Sequence, residues 1–239
     1  MVAGLAFLAT AIATVFAQAT GVRFTRHHKP HERAWTIALA LFALASASLA
    51  TGASTGWDRG TFRAFYLLGA VLCVPWLALG TVYLLAGAVA GKRVETGLIL
   101  FSGFAIGVML SAPIHGAISP VGGIPIGRDH FGVLPRVLAG VASGVGATVV
   151  LGGAIWSAVR FARSRAAGTS RLAAGNALIA LGTLVLSSGG LVQGAVGKDQ
   201  AFALSLASGI AVIYAGFAVA SSVPRTASVR SARRGTLPA

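Results

Sequence analysis

Charged side chains are so spaced along this chain that they leave seven long gaps. No Asp, Glu, Lys or Arg occurs in residues 1–22, 34–57, 64–91, 96–127, 137–159, 172–197 or 200–224. A helix rising about 1.5 Å per residue needs about 20 residues to cross about 30 Å of hydrocarbon, and an ionised side chain in that layer is costly. Each gap is long enough, so the pattern predicts an all-α polytopic transmembrane bundle with seven spans, at about 2–20, 34–53, 64–86, 97–118, 137–159, 172–194 and 201–222. Only 10% of the 239 residues are charged. A soluble domain carries about 25%, so a soluble globular enzyme is excluded. Segments such as Phe65 to Leu72 are apolar all round rather than alternating, which excludes a β-barrel. What remains outside the spans is six short loops and two ends, too little for a separate soluble domain. Residues 223–239 form a basic tail without apolar periodicity, expected to be disordered and to lie along the anionic leaflet.

Charge also sets the expected threading. Taking the loops alternately, one side collects 14 basic residues (the segments at 23–33, 92–93, 160–171 and the tail) and the other 5. Basic residues near span ends stay in the cytoplasm. The N-terminus is therefore expected outside and the C-terminus inside, in a bacterial cytoplasmic membrane. The net charge of +14 follows from this asymmetry. Anionic lipid headgroups are the expected partner, met by Arg23, Arg26, Arg160, Arg163, Arg165 and Arg171, and no nucleic acid is expected. Ala17-Gln18-Ala19 has a cleavage-site look, but the preceding segment lacks a positive n-region, so the first span reads as retained.

Lipid tails are as apolar as leucine, so small residues that admit close approach carry helix association. Gly87/Gly91, Gly103/Gly107, Gly140/Gly144 and Gly190/Gly194 have GxxxG spacing and point to closely packed spans, especially four to six. Pro75 and Pro113 should kink spans three and four. Trp35, Trp57 and Trp156 fall near the expected interfaces, where aromatic belts sit.

The absence of charge deep in any span argues against a proton pump, a voltage sensor and most ion-coupled transporters. The last span has no lysine for a retinal Schiff base. No GxSxG, HExxH, Walker or DxD pattern occurs, and neither a cofactor nor a metal site is expected. The chemistry-bearing residues on the outer side are His115, Asp58, Arg63, Asp129 and His130. They are candidates for holding a polar solute or ligand; a metal is the weaker use, because their spacing is irregular. Asp58 is also a candidate partner for Arg63. Three functional classes follow. The first is a binding or transport module for a small neutral, lipid-like or amphipathic ligand, with a Gly-lined cavity opening outward between spans three, four and five. The second is a structural or regulatory subunit, or homo-oligomer, docking through Gly-rich faces. The third is an intramembrane enzyme built on His115 and outer carboxylates.

The stretch Gly56-Trp57-Asp58-Arg59-Gly60-Thr61-Phe62-Arg63-Ala64-Phe65-Tyr66-Leu67-Leu68-Gly69-Ala70, continuing to Pro75-Trp76-Leu77-Ala78-Leu79-Gly80, resembles segments of uncharacterised multi-pass integral membrane proteins of GC-rich Gram-positive bacteria. The resemblance covers about one hairpin and half a span. It implies that this hairpin matters to the fold and supplies no activity.

Overall fold

The computed structural model describes residues 1–116, 118, 123–164, 169–196 and 199–221. They form α1 (Val2–His27), α2 (Pro30–Thr55), α3 (Arg59–Phe65), a π-helical stretch (Tyr66–Cys73), α4 (Val74–Ser111), a single turn α5 (Gly127–His130), α6 (Val133–Ala162), α7 (Thr169–Val196) and α8 (Asp199–Ser221). Among the described residues the only β feature is one antiparallel bridge between Ile114 and Phe131. Six helices are long and apolar enough to cross a membrane: α1, α2, the continuous run Arg59–Ser111, α6, α7 and α8. The chain is therefore an all-helical, multi-pass membrane protein. Each helix packs on its neighbours around a closed circuit: α1 on α2, α2 on α4, α4 on α6, α6 on α7, α7 on α8, and α8 back on α1.

Local chemistry sets the breaks. Between α1 and α2, His28 takes the left-handed conformation (φ 52°) and its N–H closes on the Phe24 carbonyl. Pro30 then opens α2 at a position where no N–H is needed. Within α3–α4, Pro75 falls in the first turn of α4, with helical backbone at Cys73 and Val74 before it. It follows the π-helical stretch, whose i→i+5 ladder would pair the Ala70 carbonyl with the N–H that proline lacks. That carbonyl instead accepts the Ser143 hydroxyl of α6 at 2.5 Å. Pro113 does not kink a span: α4 has ended at Ser111, and Ala112 is already extended. The helix stops well short of residue 118 because the residue before a proline is pushed out of the helical region.

The run Arg59–Ser111 has 53 residues, about 80 Å if straight. It is not straight. Gly87 has φ 85° and ψ 178°, a conformation that glycine alone adopts readily. The segments on either side fold back on each other. Tyr83 donates to Glu95, Trp76 Nε1 to Ser102 Oγ at 3.3 Å, and Arg63 to the Ala112 carbonyl at 2.5 Å. As one partner's number falls the other's rises, the signature of an antiparallel pair. Gly91 sits against the Tyr83 ring, where any larger residue would collide.

Of the GxxxG glycines Gly91 is closely packed, but the pairs at Gly103/Gly107 and Gly140/Gly144 are not. Around Gly103, Gly107, Gly140 and Gly144 no other group comes within 4 Å of where a Cβ would stand. The tight seam joins α7 to α8 instead, through Gly175, Gly182 and Gly189 on one helix and Gly209 and Gly216 on the other. A Cβ on Gly175 would lie 2.7 Å from the Gly216 carbonyl oxygen, and one on Gly182 would lie 2.8 Å from that of Gly209. These glycines recur every seven residues, two helical turns, so they form one continuous face.

Candidate functional site

At the end of the bundle where α2 meets α3, the loop that follows α4 folds over an aromatic cluster. Phe62 is fully buried, stacks on Phe131 with centroids 4.9 Å apart, and meets the edge of Trp57. Trp57 is enclosed by protein. It is buried against Gly52, and its Nε1 donates to the Gly123 carbonyl at 2.6 Å. Asp199, at the start of α8, accepts the Ile124 N–H at 3.0 Å. These contacts pin residues 123–131 across the end of the bundle.

The expected site residues have separate employments here. Asp58 caps α3: its Oδ1 accepts the N–H groups of Gly60 and Thr61 at 2.6 and 2.9 Å, and its Oδ2 accepts the Thr61 hydroxyl. The Thr61 hydroxyl holds this carboxyl below its ordinary range. Removing such a cap costs about 1 kcal/mol. Arg63 does not pair with Asp58. Its Nη2 donates to the Ala112 carbonyl, an orphan at the end of α4, and its buried Nε has no partner. Asp129 lies 3.4 Å from Arg128, both exposed. His130 is buried, with Nδ1 donating to the His115 carbonyl at 3.0 Å and its ring against Phe62, while the His115 N–H donates to the His130 carbonyl. The structure thus joins His115 and His130 through backbone, leaving the His115 ring exposed. Among the described residues no three His, Cys, Asp or Glu side chains group as metal ligands.

At the opposite end, the basic residues divide into two kinds. Arg23 is engaged within the protein: Nε lies 3.4 Å from Glu32, Nη1 donates to Ser221 Oγ at 2.6 Å, and the guanidinium stands 4.9 Å over the Phe217 ring. Arg33 pairs with Glu95, which also accepts from Tyr83. By contrast Arg26, Arg160, Arg163 and Arg171 are exposed and form no ion pair among the described residues. Arg165 and the tail at 223–239 lie outside the described residues.

Among the described residues a shallow groove runs along the outer face of α6. It is open, holds about 440 Å³, and is lined by Gly140, Val141, Gly144, Val145, Thr148 and Val149. Two absent side chains make it: Gly140 and Gly144 present bare backbone, while the other face of the same helix packs Gly146 and Gly153 against Val74 and Thr81 of α4. The Thr148 hydroxyl is spent on the Gly144 carbonyl. The groove thus presents methyl groups and satisfied backbone, which suits an apolar occupant. Sequence reasoning marked Gly140/Gly144 as a packing face; only the placement of the neighbouring helices distinguishes an occupied glycine face from an open one. In comparisons with known proteins, the chain matches no family model, no curated protein and no solved structure.

Proposed function

We propose that this chain crosses a bacterial cell membrane seven times, with its N-terminus outside, and binds a small neutral or lipid-like ligand in the α6 groove. The fold-back at Gly87 supports the seventh crossing, since it divides one 53-residue helical run into two membrane-length halves. The end carrying Arg23, Arg33, Lys92, Arg93, Arg160 and Arg163 is then cytoplasmic, and the aromatic cap is extracellular. The threading has a direct test. A cysteine at Lys92 should be shielded from membrane-impermeant thiol reagents in intact cells and react after permeabilisation, whereas one at Asp129 should react in both. Reaction of the Lys92 position in intact cells would overturn the threading.

The observation that carries the ligand reading is the groove itself: about 440 Å³ of open, apolar, glycine-floored space midway along α6, a helix long and apolar enough to cross a membrane. Photo-crosslinking with a diazirine-bearing fatty alcohol should label the Val141–Val149 peptide. Gly144→Leu fills the groove without meeting any neighbour, and should cut that labelling about ten-fold, as expected for losing roughly 1.4 kcal/mol of contact. Labelling unchanged by Gly144→Leu would overturn the reading. The second reading, a subunit of a larger membrane assembly, is favoured by the outward face of α4. Gly97, Gly103 and Gly107 have no neighbour there, and Leu100 and Phe104 are 71% and 56% exposed.

A further inference from the structure

The geometry points to a specific occupant of this face: one anionic phospholipid of the cytoplasmic leaflet, its phosphate on Arg160 and Arg163 and one acyl chain in the α6 groove. The inference rests on the ligand reading above and names its substrate class. It starts from an imbalance of charge. Cations at the α1–α2 corner and beside the Gly87 turn have acids among them, with Glu32 at Arg23 and Glu95 at Arg33. The α6–α7 corner has none: residues 160–171 contain four arginines and no acid. Two of the four, Arg160 and Arg163, close α6, both exposed. An acid-free arginine pair at the depth of headgroups is complementary to a phosphodiester, which accepts from the guanidinium fork.

The second observation fixes the level of that pair. Trp156 is 52% exposed, and the Arg160 guanidinium stands 5.3 Å from its ring centroid. Trp belongs at the membrane–water interface, so Arg160 is held there, with its charge turned toward the headgroup layer. The third is continuity. Val145, Thr148, Gly152, Trp156 and Arg163 recur at helical spacing and are all exposed, so one uninterrupted face leads from the arginines to the groove. Gly152 has open space where its side chain would be. From Trp156 to Val145 the helix rises about 16 Å, close to the half-thickness of about 15 Å that one acyl chain covers. A phosphate at Arg160 and Arg163 therefore brings the far half of its chain to the Val145–Val149 end of the groove. A partner helix has no such need of the arginines, and a free phosphate has none of the groove.

Native mass spectrometry tests this on the full chain, extracted in mild detergent from vesicles with equal phosphatidylglycerol and phosphatidylcholine of identical acyl chains. The wild type should retain phosphatidylglycerol preferentially. Arg160→Gln/Arg163→Gln should lower that preference about ten-fold or more, with total bound lipid unchanged. Lys92→Gln/Arg93→Gln, which removes the same charge elsewhere, should leave it within about two-fold. Equal loss in both double variants would overturn the site in favour of diffuse attraction. A preference that survives Arg160→Gln/Arg163→Gln would overturn the headgroup assignment while leaving the groove. Gly144→Leu should reduce retention of both lipids alike; no change would overturn the groove reading separately. A lipid-free dimer would overturn the proposal in favour of a second copy on this face.

Discussion

Gly182→Leu should destabilise the bundle by about 3 kcal/mol or more, whereas Gly103→Leu should leave it within about 0.5 kcal/mol. In the α7–α8 seam, a Cβ at residue 182 would stand 2.8 Å from the Gly209 carbonyl oxygen and 2.9 Å from the Ile213 nitrogen. Both are backbone atoms, so no rotamer change relieves the clash and the helices must separate. Separation is expensive here. Water supplies no force between helices in lipid, so what holds α7 to α8 is the dispersion and Cα–H···O contact that close approach allows. The loss spreads along the seam, because Gly175 and Gly216 meet one repeat away, with a Cβ on Gly216 lying 2.6 Å from the Gly175 carbonyl oxygen. Gly103 also has helical neighbours in sequence but nothing within 4 Å, and leucine has the better helix propensity by nearly 1 kcal/mol. Thermal unfolding in detergent, read by size-exclusion recovery, should show Gly182→Leu down by about 10 °C and Gly103→Leu unchanged. Equal losses would mean that glycine serves α7 and α4 in the same way, and the seam would lose its special status.

That contrast shows how far the sequence could be read. The hydrocarbon thickness acts on every residue of a span, so the gaps between charges report spans strongly: five of the seven expected spans appear as separate long apolar helices, and the other two fall in the continuous run Arg59–Ser111. Helix ends are set more locally. The helices overrun the uncharged gaps, α1 reaching His27 and α6 reaching Ala162, because snorkelling arginines continue a helix beyond the hydrocarbon. Glycine pairs report only permission to approach, and which permissions are used depends on neighbours that no local window contains. Gly140/Gly144 and Gly103/Gly107 look like seams and are open; Gly175, Gly182 and Gly189 are a seam and have a spacing of seven. The candidate polar residues were legible as one group, since topology alone places Asp58, Asp129 and His130 at one end. Their partners were not. The cap on Gly60 and Thr61 follows from Asp58 preceding a helix, a recognisable signal. Arg63 reaching Ala112, or His130 reaching the His115 carbonyl, depends on a fold-back and a bridge between distant segments. The engagement of Arg23 with Ser221 spans 198 residues and left no trace in the local pattern.

Arg23→Ala should cost about 2–3 kcal/mol, more than an exposed arginine would, because of what it leaves behind. Glu32 is 3% exposed, and its Oε2 is buried without a hydrogen-bond partner. Among the described residues it forms an ion pair with Arg23, 39% exposed and 3.4 Å away, and that exposure moderates the pairing. The α2 N-terminus adds a favourable dipole, since Glu32 lies in its first turn. Losing Arg23 therefore strands a carboxylate in a site from which water is excluded. Glu32→Gln removes the charge while keeping the shape and should cost only about 1 kcal/mol. The double variant Arg23→Ala/Glu32→Gln should then be about 1–2 kcal/mol more stable than the sum of the single losses requires. Additive losses would show that Arg23 acts through its stacking on Phe217 and its bond to Ser221 alone, and Ser221→Ala with Phe217→Leu measures that share directly. Either component falls on the contact of α1 with α8, where the first and last helices close the circuit of the bundle. A bundle opened there keeps all its other helix pairs, so Arg23→Ala should separate α1 from α8 before the α7–α8 seam yields. Crosslinking between cysteines at Ala13 and Ile210, both buried in the shared core, should fall with temperature earlier than crosslinking across α7 and α8.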